Sequence, residues 1–143
     1  MDRVRVIKKA MDVYLKKYPV LVLTGPRQSG KTTFLKNQFS DYTYVNLENL
    51  DLRKYALNDP NAFLTEFQGK VILDEVQRVP ELFSYIQTKV DEDRLMGQYI
   101  LSYSAVNVQS NAIGYLWVVQ HASQPSLGLC FLQNHGDHEH MLI

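Results

Sequence analysis

Apolar positions recur along the chain in two textures, and each predicts a different element. Val4, Ile7, Met11, Tyr14 and Leu15 keep the three-and-four spacing of one helix face, with Lys8, Lys9, Lys16 and Lys17 falling mostly between them. Tyr18-Pro19 closes this amphipathic helix, because a residue before proline is biased away from the α region. Residues 20–23, Val-Leu-Val-Leu, form instead an unbroken run without alternation, which suits a strand covered on both faces of a parallel sheet. A helix is predicted over 32–39, and residues 42–47 carry the β-branched and aromatic content of a second strand. Asn58-Asp59-Pro60 reads as a helix start, with Asp59 able to cap and Pro60 suited to the first helical position, and Leu64 and Phe67 on its apolar side. Residues 71–73 predict a third buried strand, and 80–90 a helix with Leu82, Phe83, Ile86 and Val90 on one stripe. Gly97 turns the chain into a fourth strand over 98–102.

Strands alternating with helices imply βαβ units, and hence an α/β domain with a mainly parallel sheet and right-handed crossovers. Ligands of such sheets sit beyond the carboxyl ends of the strands. The length, 143 residues, suits one domain that buries roughly two-thirds of its unfolded surface. The longest apolar stretches, 20–23 and 113–119, fall far short of the ~18 residues that a membrane span requires. Charges occupy the amino end where a secretory signal would have its apolar centre, and the single cysteine, Cys130, has no partner for an internal disulfide. Both features point to the cytoplasm.

Charge changes the picture of the carboxyl end. Lys and Arg balance Asp and Glu at 15 each, yet all 15 cations lie in residues 1–94 and none in 95–143. All four histidines fall after residue 120. So sharp a shift places a boundary near 102, dividing a core of residues 1–102 from a divergent tail, 103–143. An out-of-frame or otherwise aberrant terminus accounts for the shift. The alternative is a divergent extra strand over 113–119, paired beside the first strand.

The chemistry is concentrated in two segments. Gly25-Pro26-Arg27-Gln28-Ser29-Gly30-Lys31-Thr32 matches a phosphate-binding loop, and it stands where the mechanism requires, after a buried strand and before a helix. Gly25 permits the turn, and backbone N–H groups from about Arg27 to Lys31 can converge on phosphate oxygens at a positive helix N-terminus. Lys31 adds a point charge for β- and γ-phosphates, Thr32 offers a hydroxyl to Mg²⁺, and Thr33 is a further phosphate contact. Arg27 and Gln28 either contact phosphate or brace the loop.

Asp74 and Glu75 end the third strand. A carboxylate there can hold Mg²⁺, and Glu75 beside it can orient and polarise an attacking water. An Asp-Glu pair alone is a common solvated turn. Downstream of a phosphate loop, at a buried strand end, it becomes specific.

Residues 1 to about 102 resemble the AAA-type ATP-binding domain of a prokaryotic family of P-loop ATPases. The resemblance rests on Leu23-Thr-Gly-Pro-Arg-Gln-Ser-Gly-Lys-Thr-Thr33, Asn58-Asp-Pro60 and Leu73-Asp-Glu-Val-Gln-Arg-Val-Pro80. It implies a P-loop NTPase three-layer sandwich, here incomplete at its C-terminus, that binds ATP with Mg²⁺ and hydrolyses it to ADP and phosphate. Members usually continue into a restriction-endonuclease-like C-terminal domain, which this chain has no room for, so that domain or a second copy of the chain is the expected partner. The family's fourth strand runs into Leu-Thr-Gly-Ser, whose polar residue senses the γ-phosphate. Here the sequence is Leu101-Ser102-Tyr103-Ser104, which leaves Ser102 and Ser104 as alternatives and puts a ring where the family has glycine. The family's downstream arginine has no counterpart after Arg94, and its absence implies slow turnover or, alternatively, a nucleotide-binding module without turnover.

Other signals are weaker. The histidine tract at 135–140 has competent metal ligands but is terminal and only compositional. Cys130 lacks a catalytic partner motif, and Trp117 reads as a packing residue. A small-molecule kinase would need a lid carrying arginines, absent from 95–143. The basic first helix could meet nucleic acid, yet it lacks aromatic interleaving and a recognition motif.

Overall fold

A computed structural model describes residues 3–25, 30–104, 115–119, 129–133 and 139–142. Helix α1 (Arg3–Lys17) leads into β1 (Val20–Gly25), and α2 (Lys31–Gln38) precedes β2 (Thr43–Asn46). Helices α3 (Leu50–Asn58) and α4 (Pro60–Glu66) cross to β3 (Val71–Asp74), which a 3₁₀ turn (Val76–Arg78) joins to α5 (Leu82–Asp93) and then β4 (Tyr99–Ser104). Three further strands follow, β5 (Tyr115–Val119), β6 (Leu129–Gln133) and β7 (Glu139–Leu142).

The strands form one sheet in the order β2-β3-β4-β1-β5-β6-β7. The first four are parallel, while β5 pairs antiparallel with β1, β6 with β5 and β7 with β6. The continuous apolar runs of the parallel strands follow from burial on both faces. Val20 and Val22 of β1 join Leu73 of β3 and Leu101 of β4 on one face, against Ala56, Phe63, Leu64, Leu82, Ile86 and Val90 of α3–α5. Leu21 and Leu23 point the other way, with Ile72 and Ile100, and meet Met11 and Tyr14 of α1 and Leu35 of α2. The two-residue period of a strand thus splits each run between two helical layers, giving the three-layer α/β sandwich.

Local signals account for the helix ends. Asp59 accepts a hydrogen bond from the Ala62 N–H and Pro60 occupies the first turn of α4. Helix α3 was not among the predicted elements. Asn49 caps it, accepting from the Asp51 and Leu52 N–H groups, and Ala56 is its one fully buried side chain. A helix with so narrow an apolar face leaves little periodicity to read.

One side chain departs from the expected pattern. Phe83, expected on the apolar stripe of α5, is 39% exposed, because Leu82, Ile86 and Val90 already fill the seam against the sheet. The basic side of α1 carries an internal ion pair, Lys8 Nζ to Asp12 Oδ1 at 2.5 Å. Among the described residues, no helix is long and apolar enough to cross a membrane.

Candidate functional site

The parallel register brings four strand ends together. Gly25 at the end of β1 is opposite Ser104 at the end of β4, and Asn46 at the end of β2 is opposite Asp74 at the end of β3. Carboxyl ends of neighbouring parallel strands therefore open onto the amino end of α2. Gly30 caps that helix with φ +85° and ψ 9°, a left-handed geometry that glycine adopts without penalty, and its carbonyl accepts from the Phe34 N–H at 3.0 Å.

Lys31 and Thr32 open α2 and face the strand ends. Lys31 is only 9% exposed, and its Nζ donates to Ser104 Oγ at 3.2 Å. The Ser104 hydroxyl donates in turn to Glu75 Oε1 at 2.7 Å. Burial pushes the Lys31 ammonium below the ordinary lysine value, against the raising effects of the Glu75 and then the Asp74 charge.

Thr32 Oγ1 donates to Asp74 Oδ2 at 2.7 Å, and the Tyr44 hydroxyl of β2 donates to the same oxygen. Burial first, and the bond to Asp74 second, push the Tyr44 phenol well above its usual range. Asp74 itself is 1% exposed, and its other oxygen, Oδ1, is buried without a hydrogen-bond partner among the described residues. A buried carboxylate oxygen left without a donor is costly, and a cation beside it would remove that cost. With the Thr32 hydroxyl adjacent, this is a hard-oxygen pair of the kind that Mg²⁺ takes alongside phosphate oxygens.

Glu75 follows the strand in the left-handed region, φ 58° and ψ 45°. That conformation costs a non-glycine residue about 1–2 kcal/mol. It turns the chain sharply from β3 into the 3₁₀ turn and holds the carboxylate against β4. Gln77 in that turn donates from Nε2 to Glu75 Oε2 at 2.5 Å, and its Oε1 accepts from the Ser104 N–H at 3.4 Å. Glu75 is thereby held on both oxygens, by Ser104 and by Gln77.

The sequence model of the AAA domain family matches residues 17–118. The chain belongs to the AAA domain family. AAA domains are nucleotide-binding domains of the ATPase type, so the buried lysine, hydroxyl and carboxylates of this AAA domain lie in a nucleotide-binding fold. Two uncharacterized proteins, Rv2008c of Mycobacterium tuberculosis and Mb2031c of Mycobacterium bovis, are each 35% identical to it over 94 residues. That alignment covers 64% of this chain and 21% of either relative, so the chain spans about a fifth of the length of the curated relatives it matches. No solved structure matches the chain significantly.

The AAA domain thus joins Lys31 and Glu75 through Ser104 and bonds Thr32 to Asp74, with Gly25 and Gly30 bounding the loop and Thr33 in the first turn of α2. Pro26, Arg27, Gln28 and Ser29 lie outside the described residues, as do 135–138 of the histidine tract. Between the two serines, Ser104 makes the contacts to Lys31 and Glu75, whereas Ser102 is fully buried with no hydrogen-bond partner for its Oγ among the described residues. Tyr103 is 36% exposed. Sequence reasoning gave no role to Tyr44 or Gln77. Tyr44 has only strand composition to mark it, while Gln77, two residues after Glu75, lies inside a motif already singled out.

Proposed function

We propose that this chain binds ATP together with Mg²⁺ and hydrolyses it to ADP and phosphate. The observation that carries the reading is the pair of hydrogen-bonded sets at adjacent residues, in which Lys31 reaches Glu75 through Ser104 and Thr32 bonds Asp74. Elements far apart in the chain supply a cation, a hydroxyl, a metal-competent carboxylate and a second carboxylate at one end of the sheet.

In this reading, N–H groups of the loop from Gly25 to Lys31 and the Lys31 ammonium hold the phosphates, and Thr33 adds a contact. Thr32 and Asp74 hold the metal. Mg²⁺ when bound supplies positive charge that offsets the phosphate oxygens in the transition state. Glu75 orients the attacking water and accepts its proton as the oxygen bonds to the γ-phosphorus and the bond to the ADP oxygen breaks. Ser104 is placed between Lys31 and Glu75, where it can respond to a terminal phosphate.

A second reading, nucleotide binding without turnover, draws on the distribution of charge, since Arg94 is the last arginine in the sequence. Catalytic arginines of phosphoryl-transfer sites stabilise transition-state charge by large factors, and turnover without one is slow. Whatever a longer protein or a second copy contributes belongs to the same proposal.

Calorimetric titration with Mg-ATP and measurement of phosphate release test both readings on the full chain. Binding that is lost in Lys31→Ala, with release lost but binding kept in Glu75→Gln, is the expected result. Binding with release no greater than in Lys31→Ala leaves the second reading. A flat titration of folded protein overturns both.

A further inference from the structure

The metal-competent carboxylate has a partner that no motif supplies. Asp74 Oδ2 accepts two hydroxyl donors, Thr32 from α2 and Tyr44 from β2, and Asp74 Oδ1 accepts none. The two donors are not equivalent. The Thr32 hydroxyl is itself a candidate metal ligand, so its lone pairs and its direction are committed to the cation once one is bound. The Tyr44 hydroxyl also lies within hydrogen-bond reach of the Thr32 side chain, but it is not itself a candidate metal ligand and stays on Asp74 when Thr32 turns to a cation. Lys36 of α2 lies over the Tyr44 ring, with Nζ 4.5 Å from the ring centroid.

We infer that Tyr44 is a positioning residue for the metal site, the standing donor that fixes the Asp74 carboxylate with Oδ1 turned toward the cation. This rests on the Mg-nucleotide reading above and assigns the site an outer partner. A carboxylate buried at the end of a strand can turn about its Cβ–Cγ bond, and a donor held on one oxygen fixes the plane of the group and so the direction of the other oxygen. Without Tyr44, Thr32 is the only hydroxyl on that oxygen among the described residues, and binding a cation would draw Thr32 away. Outer partners of metal ligands commonly contribute 10–100-fold to metal affinity.

Tyr44→Phe keeps the ring, the packing and the Lys36 contact and removes one oxygen. The measurement is the affinity of the full chain for a non-hydrolysable ATP analogue, once in Mg²⁺ and once in EDTA. The ratio of the two affinities reports the protein's hold on the metal without any turnover. Wild type is expected to bind more tightly in Mg²⁺, and Tyr44→Phe to reduce that advantage by about tenfold while leaving the EDTA affinity unchanged. In an Asp74→Asn background, Tyr44→Phe is expected to change nothing further, since it acts through Asp74. An unchanged Mg²⁺ advantage in Tyr44→Phe overturns the role of Tyr44 alone. An equal loss of affinity in EDTA overturns it also, in favour of a general packing role. Wild type that binds the analogue in neither medium overturns the nucleotide reading, and this inference with it.

Discussion

Lys31 Nζ donates to the Ser104 hydroxyl at 3.2 Å, so a buried ammonium from the first turn of α2 leans on the last residue of β4. Ser104 passes that contact to Glu75, and burial still outweighs both neighbouring carboxylates in setting the state of the lysine. The ammonium is therefore a net cost to the fold in the absence of a ligand.

Lys31→Met is expected to raise stability and abolish nucleotide binding together. A lysine whose folded value lies below 10.5 binds fewer protons folded than unfolded, so stability rises as pH climbs from the folded value toward 10.5. Below the folded value the cost of burying the charge is present in full. The gain from removing it is ~0.5–1 kcal/mol, on the scale of stabilising changes made at functional sites. Urea unfolding at pH 7 without nucleotide checks it, and a lower midpoint for the variant contradicts it.

Gln77 holds one oxygen of Glu75 and also accepts from the Ser104 main chain. Gln77→Ala is expected to lower phosphate release by about tenfold or more with analogue binding nearly unchanged, the pattern of an interaction that matters in the transition state. Steady-state release and a parallel binding titration measure the two effects separately. Loss of binding in equal proportion would make Gln77 a part of the nucleotide pocket instead.

Gly97 is expected to tolerate no side chain. It has φ +65°, and an added Cβ would lie 2.8 Å from the Leu15 carbonyl oxygen and 3.2 Å from the Tyr42 hydroxyl. The same residue bonds Tyr18 O through its N–H and accepts from Tyr42 through its carbonyl, so relaxation would break the junction of α1 with β4. Gly97→Ala should cost about 2 kcal/mol or more, combining left-handed strain with overpacking. Chemical denaturation tests this, and an unchanged midpoint would show that the junction yields.

Tyr42 gives the protein an alkaline limit. Burial first, and Asp41 then Asp12 by charge, push its phenol up to about 12 from 10.0. A phenol whose folded value is raised contributes stability that is whole below pH 10 and is lost as pH rises from 10 to about 12. Tyr42→Phe should make that decline shallower, with Tyr44 and Tyr99 contributing the remainder, while lowering stability at neutral pH by ~1 kcal/mol, because the 2.6 Å bond to Gly97 O is gone. Unfolding free energies between pH 8 and pH 12 decide it, and a decline of the same slope in the variant assigns the titration elsewhere.

Much of the fold is legible along the chain because it follows from local rules. The unbroken runs at 20–23 and 71–73 are strands buried between two layers, and Asp59-Pro60 starts a helix by capping chemistry that involves only residues 59–62. Helix α3 was not legible, since its one fully buried residue, Ala56, sets up no stripe. Phe83 was misassigned because helical spacing marks the apolar residues of α5 without saying which of them the sheet has room to bury.

The sequence by itself determined the alternation of strands and helices and the residue types of the candidate site: the glycine loop, Lys31, Thr32, Asp74 and Glu75. Those depend on spacing within a few residues, which is where hydrogen-bonding and steric rules act. Only the tertiary structure decided that Ser104 rather than Ser102 meets Lys31 and Glu75, and that Tyr44 stands beside Asp74. Those meetings depend on which strands lie side by side and in what register, and that is settled by the packing of the whole sheet between its helices.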